Sequence, residues 1–143
     1  MIPIAFVNDF FGTGDYPVLN LANVRPSAQS RWHSVVMMKR VQTCNTTNAE
    51  YFSGTNLLNC SFLASDIEYC QNQGKAVTIS LGGGGASVGF TDDSEAQSFA
   101  DQIWNVFLGG SSDNRPFGSV VLDGFVSMHN LLSMTLTNPI AWT

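Results

Sequence analysis

The sequence has 143 residues, which is long enough for one domain with its own hydrophobic core. Hydrophobic residues make up 44% and aromatic residues 11% of the chain, a composition typical of globular proteins and not of disordered ones. The net charge of −5 argues against a nucleic-acid partner, and no apolar run reaches membrane-spanning length. We therefore expect neither nucleic-acid nor membrane binding.

The first apolar run, residues 2–6, is too short for a signal peptide and lacks a basic flank. The chain as written is therefore expected to carry no secretion signal, and its localisation stays open. Cys44, Cys60 and Cys70 fit either one disulfide with a remaining thiol or three reduced thiols in a cytosolic protein. The triplets beginning at Asn45 and Asn59 match the N-glycosylation pattern, which matters only in the secretory pathway.

Continuous apolar runs predict three buried strands, over residues 2–7, 76–81 and 119–125, and residues 18–23 predict a short extended piece. Strands that are apolar on both faces and alternate with helices are typical of an α/β fold, in which covering helices flank parallel strands.

Two helices are predicted between these strands. One runs from a capping Ser61 to about residue 73 and ends at Gly74. The other spans residues 93–108 and ends at Gly109. Its apolar positions follow helical spacing, so all are expected to pack inward: Ala96, Phe99, Ala100, Ile103, Trp104, Phe107 and Leu108.

Four glycines, residues 82–85, follow the strand at 76–81, at the end where α/β folds bind ligands. The run lacks the lysine and hydroxyl residue of a phosphate-binding loop, and no helix opens directly after it as a dinucleotide motif requires. His33 and His129 lack metal-ligand spacing to any cluster of cysteines or acids. We therefore expect no cofactor and no metal.

Six motifs carry a family resemblance. They are IPIAF (2–6), PVLNLAN (17–23), NLLNC (56–60), DIEYCQNQGKAVTISLGGGG (66–85), FADQIWNVFLGG (99–110) and RPFGSVVLDGF (115–125). With these motifs in this order, the chain resembles glycoside hydrolase family 18, specifically the plant and fungal class III chitinases. The resemblance covers nearly the whole chain apart from residues 24–42 and 126–143.

The resemblance implies a (β/α)8 TIM barrel, a fold of about 250 residues, of which this chain matches strands two to four only. The expected fold is therefore an incomplete barrel of parallel strands with covering helices. The disulfide partner of Cys70 in the family lies in a first helix that has no counterpart here, while Cys44 and Cys60 are expected to be able to pair as in relatives.

The fourth strand of the family carries Asp-Gly-x-Asp-x-Asp-x-Glu. The glutamic acid protonates the glycosidic oxygen, and the acetamido oxygen of the substrate attacks the anomeric carbon. Here Asp123 and Gly124 match, Val126 and Met128 replace the two inner aspartates, and Asn130 stands at the proton-donor position. Because an amide has no proton to give at a useful pKa, the chain is predicted to be inactive, with Asp123 as a remnant of the motif.

The resemblance also implies a substrate site for chitin or chito-oligosaccharides. Ser80, Gly82 and Gly83 match a Ser-x-Gly-Gly motif beneath the sugar, although the glycines also suit a tight strand exit. Phe6 is a candidate for the substrate cleft, with core packing as the alternative. For Asp123 the alternative is an acid at a strand end that faces water.

Residues 24–42 and 126–143 both begin with valine, whose codons start with GT, and Gln42 is encodable by the acceptor-like CAG. We interpret both segments as translated introns, an insertion and a tail on a partial catalytic domain of residues 1–125.

Three functions stay open at this point. The first is an inactive chitinase-family polypeptide. The second is a non-catalytic lectin-like protein that binds chitin or N-acetylglucosamine, and the third is a product without a molecular role. A sheet with only three of eight barrel strands leaves two apolar edges exposed, so we also expect self-association through those edges.

Overall fold

The computed structural model describes residues 1–21, 39–83 and 89–127. The predicted insertion up to residue 38, Gly84 and Gly85 of the glycine run, Met128, Asn130 and both histidines lie outside these ranges.

Within these three ranges, four strands form one sheet in the order β2-β1-β3-β4. The strands are β1 (Ile2–Asp9), β2 (Val18–Leu19), β3 (Val77–Leu81) and β4 (Gly124–Ser127). β1, β3 and β4 run parallel, whereas the two residues of β2 pair antiparallel with β1. The α/β class expected from the sequence is confirmed, and β2 adds an antiparallel edge to it.

Among the described residues, α1 (Ala64–Asn72) lies between β1 and β3, and α2 (Asp93–Phe107) lies between β3 and β4. Single turns of 3-10 helix lie at Thr13–Asp15 and, directly before α1, at Ser61–Leu63. Gly74 adopts a φ of +72° just beyond α1, the left-handed conformation that ends helices and that the sequence predicted there. No helix among the described residues is long and apolar enough to cross a membrane.

The core lies between the two helices and one face of the sheet. Side chains of a strand alternate between faces, so Ile4 and Ile79, which are paired in register, share a face. Both are buried, together with Ile67 of α1 and with Phe99 and Ile103 of α2. Because β3 lies in the middle of the parallel strands, all five of its residues are buried.

The amino end of α2 is capped by side chains at and just before the first turn of the helix. The Asp92 carboxylate accepts a hydrogen bond from the Glu95 N–H at 2.8 Å. The Glu95 carboxylate in turn accepts from the N–H and the hydroxyl of Thr91. These bonds satisfy amide groups that have no partner inside the helix.

Trp104 does not pack inward as its helical position predicted. Its side chain is 46% exposed, whereas Val106, which the helical pattern left out, is buried. The indole ring lies over Gly109 and Gly110, where a Cβ atom would come within 2.8 Å and 2.7 Å of the ring. The two glycines that end α2 therefore give the ring a surface outside the core.

The fourth strand begins at Gly124, not near residue 119 as predicted. Val120 and Leu122 are buried, which explains the apolar run, but their backbone groups bond outside the sheet. The Leu122 N–H donates to the Phe107 carbonyl at 3.0 Å, and the Val120 carbonyl accepts from Arg115 at 3.1 Å. The run is therefore a buried loop that leads into the strand.

Arg115 organises this loop with all five of its guanidinium N–H groups. It donates to the carbonyls of Asn105 (2.6 Å), Leu108 (2.9 Å), Val120 (3.1 Å), Gly110 (3.2 Å) and Gly118 (3.2 Å). The last carbonyls of a helix lack partners within it, and Arg115 binds such groups at the end of α2. The side chain thereby ties the end of α2 to the approach to β4.

Cys44 and Cys60 form a disulfide with a Cα–Cα distance of 5.7 Å, while Cys70 keeps its thiol and is buried. The disulfide holds the long connection before α1. The last residues of the predicted insertion pack against the described fold. Arg40 forms an ion pair with Asp66 of α1 at 2.5 Å, and Val41 is buried in the core.

Candidate functional site

The candidate site lies at the carboxyl ends of β1, β3 and β4, where parallel strands of α/β proteins bind ligands. Strand register places Ala5, Ser80 and Val126 side by side across the three strands. They lie on the sheet face opposite the one that carries Ile4 and Ile79, because neighbouring residues of a strand point to opposite faces. Ser80 is buried, and its two neighbours in this row are half-buried. The row forms the floor of the candidate site.

Phe6 and Gly83 lie against each other at this end of the sheet. A Cβ atom on Gly83 would come within 2.7 Å of two ring carbons of Phe6, so only glycine leaves room for the half-buried ring. The Ala5–Phe6 peptide bond is cis. Gly82 has a φ of +77° and donates its N–H to the Val7 carbonyl at 2.9 Å. The structure thus brings three of the four predicted substrate residues, Phe6, Gly82 and Gly83, to one strand end, directly beyond the fourth, Ser80.

Asn20 is a further polar residue at this end that the sequence reasoning did not single out. Asn20 and Phe6 exchange both backbone hydrogen bonds, each at 3.0 Å, and the asparagine is exposed. Its side chain is therefore exposed at the residue that pairs with Phe6. The signal was present in the PVLNLAN motif, but a single asparagine in an extended segment has no spacing that marks it.

Asp123 lies at the opposite end of the sheet, before the first residue of β4. Its carboxylate accepts from the Val77 N–H at 2.7 Å and from the Gln71 side chain at 3.0 Å. The Asp123 N–H donates to the Val77 carbonyl at 2.9 Å. The side chain is exposed but bonded, so it joins the starts of β3 and β4 and the end of α1. Its contacts are structural ones.

Carboxylates are scarce at the carboxyl ends of the strands. β4 ends there with Val126 and Ser127, and β3 continues into Gly82 and Gly83. Asp9 at the end of β1 accepts a hydrogen bond from the Phe11 N–H at 3.3 Å. Within the described residues, β3 and β4 therefore place no proton donor of carboxylic type at this edge.

A groove of about 430 Å³ lies outside this edge, between the loop after β1 and the start of α2. Phe11, Asp15, Glu95 and Gln102 are among its lining residues. An aromatic cluster supports it, in which the Phe10 and Phe99 rings stack with centroids 4.1 Å apart. In the part of the chain that the structure describes, no three histidine, cysteine or acidic side chains group as metal ligands would. The groove is therefore a polar surface beside the candidate site.

No protein-family model matches this chain, but it is similar to known proteins in sequence and in structure. Chitinase 1 of Rhizopus niveus is 41% identical over 124 residues, which cover 87% of this chain and 20% of the relative. Acidic endochitinase of Cucumis sativus is 36% identical over 123 residues, which cover 86% of this chain and 32% of the relative. The chain thus spans between a fifth and a third of these two relatives.

Two solved structures share the fold. A chitinase from Ipomoea carnea superposes with a TM-score of 0.59 at 32% identity, over 87% of this chain and 35% of the other. A xylanase-α-amylase inhibitor protein, in complex with trehalose, superposes with a TM-score of 0.54 at 28% identity, over 87% of this chain and 34% of the other.

The parallel strands, their covering helices and the candidate site at the carboxyl edge define an α/β protein. The relatives then make the assignment specific. The chain is a chitinase-like polypeptide of glycoside hydrolase family 18, and the resemblance predicted from the six motifs is confirmed.

Proposed function

We propose that this chain forms part of the wall of a chitin-binding (β/α)8 barrel and does not hydrolyse chitin itself. β1, β3 and β4 correspond in this proposal to barrel strands two, three and four, with α1 and α2 on the outside. Residues 1–125 form the partial catalytic domain. Residues 24–42 and 126–143 stand outside the family pattern, as an insertion and a tail.

The pairing of Ser80 with Val126 carries the proposal. In the family motif the positions of Val126 and Met128 hold aspartates, and the one neighbouring the glutamic acid, at Met128, orients the substrate acetamide and helps hold the proton. Neither a valine nor a methionine side chain has a carboxyl group, so neither can orient the acetamide oxygen for attack or share the proton. Asn130 at the donor position cannot protonate the leaving oxygen. The chain therefore lacks both the residue that orients the acetamide and the residue that protonates the leaving oxygen in substrate-assisted cleavage.

Sugar binding rests on a different set of residues. Phe6 offers an aromatic surface at the strand ends, and Asn20, which pairs with Phe6, offers an exposed side chain. An apolar platform with a few placed polar groups is a common way to bind small polar ligands. Chitin and chito-oligosaccharides are the ligands we propose for this surface.

A chromogenic chito-oligosaccharide assay tests the inactive state, with the Rhizopus niveus chitinase as positive control. We expect product release from this chain at the level of the buffer blank. Turnover comparable to that of the control would contradict the proposal.

Retention on chitin beads tests the binding surface. Phe6→Ala should reduce retention, whereas Tyr51→Ala, at an aromatic residue that is 49% exposed on the connection before α1, should leave it unchanged. Equal retention of the two variants would show that Phe6 does not contribute to chitin binding.

The inhibitor protein in complex with trehalose favours a second candidate, a non-catalytic lectin-like protein that binds chitin or N-acetylglucosamine. Retention without turnover, together with free chito-oligosaccharide as a competitor, would support this candidate. Absence of both retention and turnover would favour a product without a molecular role.

We also propose self-association through the edge of β4. Among the residues that the structure describes, β4 pairs with β3 alone, whereas β2 covers the end of the opposite edge. Light scattering of Val126→Lys, compared with Val121→Lys in the preceding loop, tests this edge, because an edge lysine opposes strand pairing. Only the first variant should lower the mean mass.

A further inference from the structure

The two N-glycosylation triplets of the sequence lie at the two ends of the same disulfide. Asn45 directly follows Cys44, and Asn59 directly precedes Cys60. A disulfide of this kind persists in oxidising compartments, and in eukaryotes the same compartments carry out N-glycosylation. The question is which of the two asparagines is able to carry a glycan.

Both triplets adopt the same local turn. The Asn45 Oδ1 atom accepts from the Thr47 N–H at 2.9 Å, and the Asn59 Oδ1 atom accepts from the Ser61 N–H at 3.2 Å. Each turn places the hydroxyl residue of the triplet beside the asparagine amide. The turns themselves therefore do not distinguish the two positions.

The amide nitrogens do distinguish them. The Asn45 Nδ2 atom donates to the Gln42 carbonyl at 3.0 Å, and the residue is half-buried. Its Oδ1 atom also accepts from the backbone and the side chain of Asn48. Asn59 is exposed, and within the described residues its side chain takes part in one hydrogen bond, through oxygen. Its Nδ2 atom faces solvent without a competing acceptor there.

Asn59 also lines a groove of about 440 Å³ that suits a sugar. Ser61, Ser119 and Asp113 bring hydroxyl and carboxylate groups to it, and Phe52 adds an aromatic surface. Hydroxyl-rich walls with one aromatic face match the alternating polar and apolar surfaces of a pyranose ring.

We propose that Asn59 is an acceptor for N-linked glycosylation and that Asn45 is not. In the reaction, the Asn59 Nδ2 atom forms a bond to the anomeric carbon of a lipid-linked oligosaccharide diphosphate supplied by the host. The bond from that carbon to the diphosphate breaks, the lipid diphosphate leaves with the bonding electrons, and Nδ2 gives up one proton. The first N-acetylglucosamine then lies along the groove.

Secretion of the full chain behind a leader from a glycosylating yeast tests the proposal. The mass of the wild type should fall by one glycan on digestion with peptide-N-glycosidase, and peptide mapping should find aspartate at position 59. Asn59→Gln should abolish the shift, and the matched variant Asn45→Gln should keep it. A shift that is lost in Asn45→Gln, kept in Asn59→Gln or absent from the wild type would overturn the proposal.

Two further variants keep the test decisive if Asn59→Gln fails to fold. Ser61→Ala leaves Asn59 in place but removes the recognised hydroxyl, so the shift should be lost. Ser61→Thr keeps a hydroxyl and should retain or raise occupancy. Equal occupancy in Ser61→Ala and the wild type would overturn the assignment.

Discussion

Asp123 and Val77 bind each other twice at the start of their strands, carboxylate to N–H at 2.7 Å and N–H to carbonyl at 2.9 Å. The acid that the motif offers as a catalytic remnant thus holds two strands together at the end of the sheet away from the candidate site. This position predicts a loss of stability when the side chain is removed.

Asp123→Ala should lower the free energy of unfolding by about 1–3 kcal/mol, because the buried Val77 N–H loses its acceptor. Asp123→Asn keeps an acceptor oxygen and should lose clearly less. Urea unfolding of both variants and the wild type measures the difference. Equal losses would indicate that the negative charge, and not the acceptor, is what Val77 requires.

Gly83→Ala should destabilise the chain by about 1–3 kcal/mol, since the new Cβ atom would meet the Phe6 ring at 2.7 Å. Phe6→Leu removes the ring and should relieve part of that clash. A double-mutant cycle in urea therefore predicts a loss for the double variant smaller than the sum of the single losses. Additive losses would show that the two side chains do not interact.

Arg115→Ala should destabilise the chain by about 3 kcal/mol or more, because five carbonyl groups lose charge-assisted donors at once. Arg115→Lys keeps the charge but has three donors on one nitrogen, so it should recover only part of the loss. Thermal unfolding of both variants measures this. Full recovery by lysine would mean that charge, and not the planar array of donors, holds the loop.

Burial, with a smaller contribution from the charge of Asp66, raises the pKa of the Cys70 thiol. The folded chain therefore keeps this proton at a pH where the unfolded chain, with a thiol pKa of about 8.5, has lost it. The folded state then binds more protons, so its stability falls as pH rises above that value.

Cys70→Ala lacks this titration, and its stability relative to the wild type should improve steadily above neutral pH. Urea midpoints of both proteins from neutral pH to about pH 10 measure the difference. A difference that stays constant across this range would contradict the prediction.

The sequence correctly predicted those elements in which the buried residues also form the backbone hydrogen bonds of a strand or helix. The strands at β1 and β3 and the helix at α2 are continuous apolar or amphipathic segments, and the structure has them within one or two residues of their predicted bounds. At Val120 and Leu122 the apolar pattern predicted a strand that the structure does not have. They are buried like strand residues, but Arg115 and Phe107 take their backbone bonds.

The part of the candidate site that lies within the sequence motifs was predictable. Phe6, Gly82 and Gly83 meet at one strand end because register brings the ends of β1 and β3 together. The partners of Asp123 were not predictable, since Gln71 and Val77 lie about 50 residues away in sequence and carry no pattern that points to it. Such contacts arise only when the strands are aligned.

The row of Ala5, Ser80 and Val126 consists of short side chains on the sheet face opposite the helices. At the half-buried Ala5 and Val126, a slightly larger side chain would change the shape of that face by one or two carbon atoms, whereas Ser80 is 1% exposed and leaves no such room. The face against α1 and α2 has no such latitude, because its residues interlock with both helices. The two half-buried positions at the ends of this row are therefore the places where a substitution would reshape the floor of the site and leave the helix-covered core untouched.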